Sequence, residues 1–100
     1  MHALYPTKSQ EKYAYLTYGS FVPVITGLDK EAIDLEGIKT IEELIAKLDK
    51  KYPGIRDIFL PPGGVFNSKT AITLKRAGKP PVPVIDQKQE VEAGDTIFLW

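Results

Sequence analysis

Apolar residues recur along this chain in two rhythms, and the change from one to the other marks the elements. From Lys12 to Tyr18 (KYAYLTY) bulky side chains fall on both parities, Tyr13, Tyr15 and Thr17 against Ala14, Leu16 and Tyr18. β-Branched and aromatic types dominate, so the segment reads as a strand with bulk on both faces. Ala32 to Leu35 is a short second strand, closed by Gly37. From Thr40 the rhythm becomes helical: Ile41, Leu44, Ile45 and Leu48 stand at i, i+3, i+4 and i+7 and form one apolar stripe. Thr40 and Glu43 have the spacing of a capping box, in which each side chain satisfies a backbone N–H of the first turn. Glu43 and Lys47 make a favourable i, i+4 pair on the flank. Tyr52-Pro53-Gly54 ends the helix, because the residue before a proline avoids the α region. Ile55 to Leu60 predicts one further helical turn that packs Ile55, Ile58 and Phe59.

The second half is shorter in its elements. Pro61-Pro62-Gly63-Gly64 reads as a loop, Thr70 to Arg76 as a third strand and Ala77-Gly78 as a turn. Pro80, Pro81 and Pro83 around Val82 and Val84 permit at most a short edge strand, since proline cannot donate to a ladder. Gln87 to Glu92 is a polar connection. Gly94-Asp95 turns into a final strand in which Ile97 and Leu99 point one way and Phe98 and Trp100 the other. Between the first two strands, Phe21 to Ile25 is a connection in which Pro23 argues against a central strand. Residues 1–11 read as an N-terminal arm, leaving 12–100 as a single domain. Strand, strand, helix, strand, edge segment, strand is the order of an α+β β-grasp fold, a mixed four- to five-stranded sheet wrapped on one main helix.

Composition narrows the function classes. Over 100 residues, thirteen basic and thirteen acidic side chains cancel, which argues against a nucleic-acid partner. There is no cysteine, so disulfides, thiolate metal sites and thiol nucleophiles are excluded. The N-terminus lacks the basic start and apolar core of a signal peptide, and no apolar run reaches membrane length. A cytoplasmic protein without a membrane partner is the expectation.

The chemistry-bearing residues give no catalytic constellation. His2 is the single histidine and lies in the arm. Glu42, Glu43, Asp49, Glu90, Glu92 and Asp95 scatter over the helix and turns and read as surface charges, with Asp95 a turn residue. No glycine-rich phosphate loop precedes a helix. No catalytic, metal-binding or cofactor-binding residue is assigned, and no cofactor is expected.

From Tyr13 to Trp100 the chain resembles the MoaD/ThiS family of ubiquitin-like proteins. The features that carry the resemblance occur in register: the aromatic-Gly step Tyr18-Gly19, and Thr26-Gly27 before the second strand. The helix Thr40-Ile-Glu-Glu-Leu-Ile-Ala-Lys-Leu follows, with Lys51-Tyr52-Pro53-Gly54-Ile55-Arg56 after it. Gly78 precedes the edge segment, and Val91-x-Ala-Gly94-Asp95-x-Ile97 introduces the last strand. The resemblance implies that the first and last strands lie side by side and parallel in the centre of the sheet. It implies also a flexible tail ending Gly-Gly, whose carboxylate is adenylated by an activating enzyme and converted to a thiocarboxylate sulfur donor. Glycines suit such a tail because they carry no side chain through a narrow channel. This sequence stops at Trp100, where that tail would begin, and Gly63-Gly64 reads as a mid-chain loop.

The expectation is therefore a non-catalytic binding module, the small accessory subunit of a larger enzyme complex. The alternative is a sulfur carrier for molybdenum or tungsten cofactor (molybdopterin) or thiamine biosynthesis, its Gly-Gly end lying outside this sequence. Docking is expected on the outer sheet face, because one helix covers only one face and the strands are apolar on both. If Ile97 and Leu99 are inside, Phe98 and Trp100 lie outside, beside either Tyr13/Tyr15 or Leu16/Tyr18. The candidate partner-binding set is Leu16, Tyr18, Phe98 and Trp100. The expected partner is a protein: a larger enzyme subunit, or an activating enzyme in the alternative.

Overall fold

The computed structural model describes residues 12–60 and 70–100. The arm over residues 1–11, with His2, and the loop at Pro61-Pro62-Gly63-Gly64 lie outside the described residues. In chain order the elements are β1 (Tyr13–Tyr18), α1 (Val22–Thr26), β2 (Lys30–Asp34), α2 (Ile41–Lys51), α3 (Ile55–Phe59), β3 (Ile72–Lys75), β4 (Val82–Pro83) and β5 (Thr96–Leu99). The described strands form one mixed sheet in the order β2-β1-β5-β3-β4. β1 and β5 run parallel, with Leu16 beside Ile97 and Tyr18 beside Leu99; every other pairing is antiparallel. This is the β-grasp arrangement.

Helix α2 forms where its local signals place it. Thr40 accepts from the Glu43 N–H and the Glu43 carboxylate returns to the Thr40 N–H, so two first-turn donors are satisfied. Ile41, Leu44, Ile45 and Leu48 are all buried against the sheet. The Glu43–Lys47 pair is not made. Glu43 turns back to the Lys39 and Thr40 N–H groups, and Lys47 Nζ donates to the Asp34 carbonyl 2.7 Å away on β2. Backbone donors at the helix start compete better for the carboxylate than an exposed flank lysine does.

The connection after β1 contains a turn of helix, α1, with Pro23 in its first turn, where a missing N–H costs nothing. Gly27 closes it in the left-handed region at φ 76°. β2 begins two residues earlier than Ala32, and β3 is trimmed to its four central residues. The core gathers Ala14, Leu16, Tyr18, Ile97, Leu99, Ile72 and Leu74 from the sheet with the α2 stripe, Val22, Ile55 and Phe59.

Leu16 and Tyr18 are a correction. Both are core residues, 1% and 4% exposed, and not part of the outer face. The parallel register pairs them with Ile97 and Leu99, and laterally paired residues share a face, so burying one set buries the other. Asp95 is a second correction: it is 1% exposed, not a surface charge. Arg76 Nε reaches its Oδ1 at 3.0 Å and an Arg76 amino group its Oδ2 at 2.9 Å, a two-point grip across the β3–β5 pair. Its Oδ2 also accepts the Glu92 N–H at 2.8 Å, so the carboxylate closes the turn and is ion-paired at once.

Candidate protein-docking site

The outer face is built by the same alternation that fills the core. Because Ile97 and Leu99 point inward, Thr96 and Phe98 point outward. Cross-strand pairing then sets Lys30, Thr17, Phe98, Thr73 and Pro83 in one row across all five described strands. The next row carries Ala32, Tyr15, Thr96 and Lys75. Away from Lys30 and Lys75 at the margins, these rows are uncharged: threonine, alanine, proline and aromatic rings.

Trp100 extends the last strand by one residue. Its N–H donates to the Ala71 carbonyl at 3.1 Å, and the Ala71 N–H returns to the Trp100 carbonyl at 3.5 Å. Held this way, the indole stacks on Phe98 with ring centroids 6.2 Å apart and planes 15° from parallel. The benzo ring of the indole also covers Gly19, whose N–H donates to the Leu99 carbonyl at 2.8 Å. Trp100 remains 47% exposed and Tyr15 42% exposed. On this outer face the neighbours of Phe98 and Trp100 are Tyr15, Thr17 and Thr73, where Leu16 and Tyr18 were expected. The alternation in KYAYLTY offers both choices with similar bulk, so pairing with β5 is the deciding signal.

A polar cluster on the core side joins β2 to the end of α2. The Glu31 carboxylate accepts from Tyr18 Oη at 2.7 Å, from Tyr52 Oη at 2.8 Å and from the Lys51 ammonium. Burial opposes its charge, but the hydrogen bonds from Lys51, Tyr18 and Tyr52 together prevail and hold it below the ordinary carboxylate value. Tyr18 is pushed well up, by burial first and then by the carboxylate it donates to. No local spacing marks this cluster, because Tyr18, Lys51 and Tyr52 stand 13, 20 and 21 positions from Glu31. All its partners are satisfied internally, so its chemistry is structural: it fastens a helix to an edge strand.

Two further carboxylates are engaged across turns and elements. Glu42 meets Lys88 at 2.7 Å, and Asp49 accepts the Gly54 and Arg56 N–H groups at 3.0 and 3.1 Å, closing the turn between α2 and α3. Among the described residues no group of three or more His, Cys, Asp or Glu side chains is placed to hold a metal ion. Among them, too, no helix is long and apolar enough to cross a membrane.

No family model matches the chain, and no curated protein matches it. Solved structures do. A crystal structure of small archaeal modifier protein 1 from Haloferax volcanii is 16% identical, covers 88% of this chain and 92% of its own, and superposes with a TM-score of 0.64. A second crystal structure of that protein is 16% identical, with coverage of 87% and 93% and a TM-score of 0.62. A Pyrococcus furiosus protein assigned as molybdopterin converting factor subunit 1 is 18% identical, with the same coverage and TM-score of 0.62. At these identities the likeness is one of fold: this chain has the ubiquitin-like β-grasp fold of MoaD-like proteins.

Proposed function

We propose that this chain is a non-catalytic protein-binding subunit, cytoplasmic, that docks on a larger protein through the outer face of its sheet at Phe98 and Trp100. One observation carries the reading. A stacked aromatic pair stands in the uncharged middle of a sheet face, on the side away from the helix that closes the core. Tyr15, in the neighbouring row, adds a third ring. Exposed aromatic clusters of this kind mark contact surfaces, where rigid rings give large apolar area at low entropy cost. The partner suited to it is a protein with an apolar, weakly charged patch.

The experiment is a side-by-side capture from the source cells with the native chain, with Phe98→Ala/Trp100→Ala, and with Thr73→Lys. The last places a charge beside Phe98 without touching the core. Truncating both rings should weaken the recovered complex by about 2 kcal/mol or more, roughly thirtyfold. A partner recovered equally by all three proteins would remove the reading.

A second reading, sulfur carriage toward molybdenum or tungsten cofactor or thiamine, is favoured by the fold shared with the Pyrococcus furiosus protein. Incubation of protein isolated from its source with an activating enzyme, ATP and a sulfur donor should then give the mass change of one oxygen replaced by sulfur. No mass change in that incubation would count against sulfur carriage and leave the docking reading standing.

A further inference from the structure

The two edges of the sheet are built differently. β4 is two residues long and flanked by Pro80 and Pro81, with Pro83 inside it, so it offers few donors to an incoming strand. β2 is five residues long and contains no proline. The phase of its ladder is set by two hydrogen bonds, Leu35 N–H to the Lys12 carbonyl and Tyr18 N–H to the Asp29 carbonyl, both 2.8 Å. Residues 29, 31, 33 and 35 therefore bond to β1, and the N–H and C=O groups of Lys30, Ala32 and Asp34 face outward. Of these, the Asp34 carbonyl takes the Lys47 ammonium. Lys30 and Ala32 are exposed, and their outward groups meet no described residue.

A groove runs along this edge, between β2 and α2. Ile33 and Leu48 line it, with Lys47, Lys50 and Lys51 along its helical side. Its two carboxylates are already engaged: Glu31 is saturated by Lys51, Tyr18 and Tyr52, and Asp34 Oδ1 accepts the Glu36 N–H at 2.8 Å. What the groove offers an incomer is a row of backbone partners, an apolar lining and positive charge at Lys50 and Lys47. The Lys47 ammonium is bonded to the uncharged Asp34 carbonyl and meets no carboxylate among the described residues.

We propose that the open edge of β2 receives an extended acidic segment of a partner protein as a further strand. An apolar side chain of that segment enters the groove beside Ile33 and Leu48, and its flanking carboxylates meet Lys47 and Lys50. Backbone pairing supplies affinity, while the groove and the lysines supply selectivity. A second copy of this chain suits the edge less well, since two-fold pairing about Ala32 would set the α2 lysines of both copies against each other. This surface is separate from the Phe98–Trp100 face, so the two readings stand or fall independently.

The probe is the peptide Ac-Asp-Glu-Val-Val-Val-Asp-Glu-NH2, titrated into 15N-labelled protein. Amide shifts should concentrate at Lys30, Ala32, Asp34 and Lys50. Replacing every acidic residue of the peptide by lysine should weaken binding by about tenfold or more, as should Lys47→Glu/Lys50→Glu in the protein. Ala32→Pro removes an outward N–H at an edge position where proline is tolerated, and should abolish the pairing with the fold intact. Should that variant lose its native spectrum, the native chain is titrated instead with the peptide N-methylated at alternate residues, which should bind at least about tenfold weaker. Equal affinity for the lysine peptide, undiminished binding by Ala32→Pro or by the methylated peptide, shifts centred on Phe98 and Trp100, or no shifts at all would each overturn the proposal. So would β2 shifts that grow with protein concentration alone, which would assign the edge to a second copy.

Discussion

The indole of Trp100 lies on the α-carbon of Gly19. A Cβ at that position would stand 2.5 Å from Cε3 of the ring and 2.8 Å from Cζ3. Gly19 is thus an open seat for an aromatic ring, and the aromatic-Gly step that ends β1 acquires a specific purpose. Gly19→Ala should push the indole away and break its stack on Phe98, at a cost of about 1 kcal/mol because the ring is free to move outward. Trp100 is the sole tryptophan, so its emission maximum and near-ultraviolet dichroism read the displacement directly. An unchanged spectrum would mean that the indole does not rest there.

The two faces of the sheet should respond differently to truncation. Leu16→Ala empties a site 1% exposed between β1 and the helix and should cost about 2–5 kcal/mol in urea unfolding. Phe98→Ala removes a ring that stays partly in water and should cost less than half of that. Equal losses would reverse the assignment of faces.

Asp95 joins β3, β5 and the turn before β5 through one carboxylate. Asp95→Ala leaves the Arg76 guanidinium and the Glu92 N–H without their acceptor and should destabilise by about 2–4 kcal/mol. Replacing both members of the pair, Arg76→Met/Asp95→Leu, should cost less than Asp95→Ala alone, because no unpaired charge remains. The comparison is made by equilibrium denaturation at neutral pH.

Glu31 makes stability depend on pH at both ends of the range. Its carboxyl is held below the ordinary 4.5, so its contribution is present above that value and is lost as pH falls through the lower folded one. Tyr18 is raised above its ordinary 10.0, so its contribution is present below pH 10 and is lost as pH rises beyond it. The stability gap between the native chain and Glu31→Gln should be widest near neutral pH and narrow below about pH 4. A gap that stays constant through acid titration would show that the carboxylate is not held by Tyr18, Tyr52 and Lys51.

Helix α2 was legible in its start, its buried stripe and its end, because its capping box, its apolar stripe and its proline stop all act within a few positions of one another. The expected Glu43–Lys47 pair, by contrast, gave way to a contact of Lys47 with β2. The strands were legible in place and order, though not in their ends, since β-forming side chains continue past the last ladder bond. Which face of β1 turns inward was not legible: Tyr13, Tyr15 and Thr17 compete evenly with Ala14, Leu16 and Tyr18 until β5, some eighty positions away, pairs Leu16 with Ile97. The burial of Asp95, the grip of Tyr18 and Tyr52 on Glu31, and the seat of Trp100 on Gly19 belong to the same class. Local interactions are written in adjacent residues and can be read from them, whereas register, face and ion pairing arise when distant strands meet. Tertiary packing alone chose between orientations that the chain permits equally.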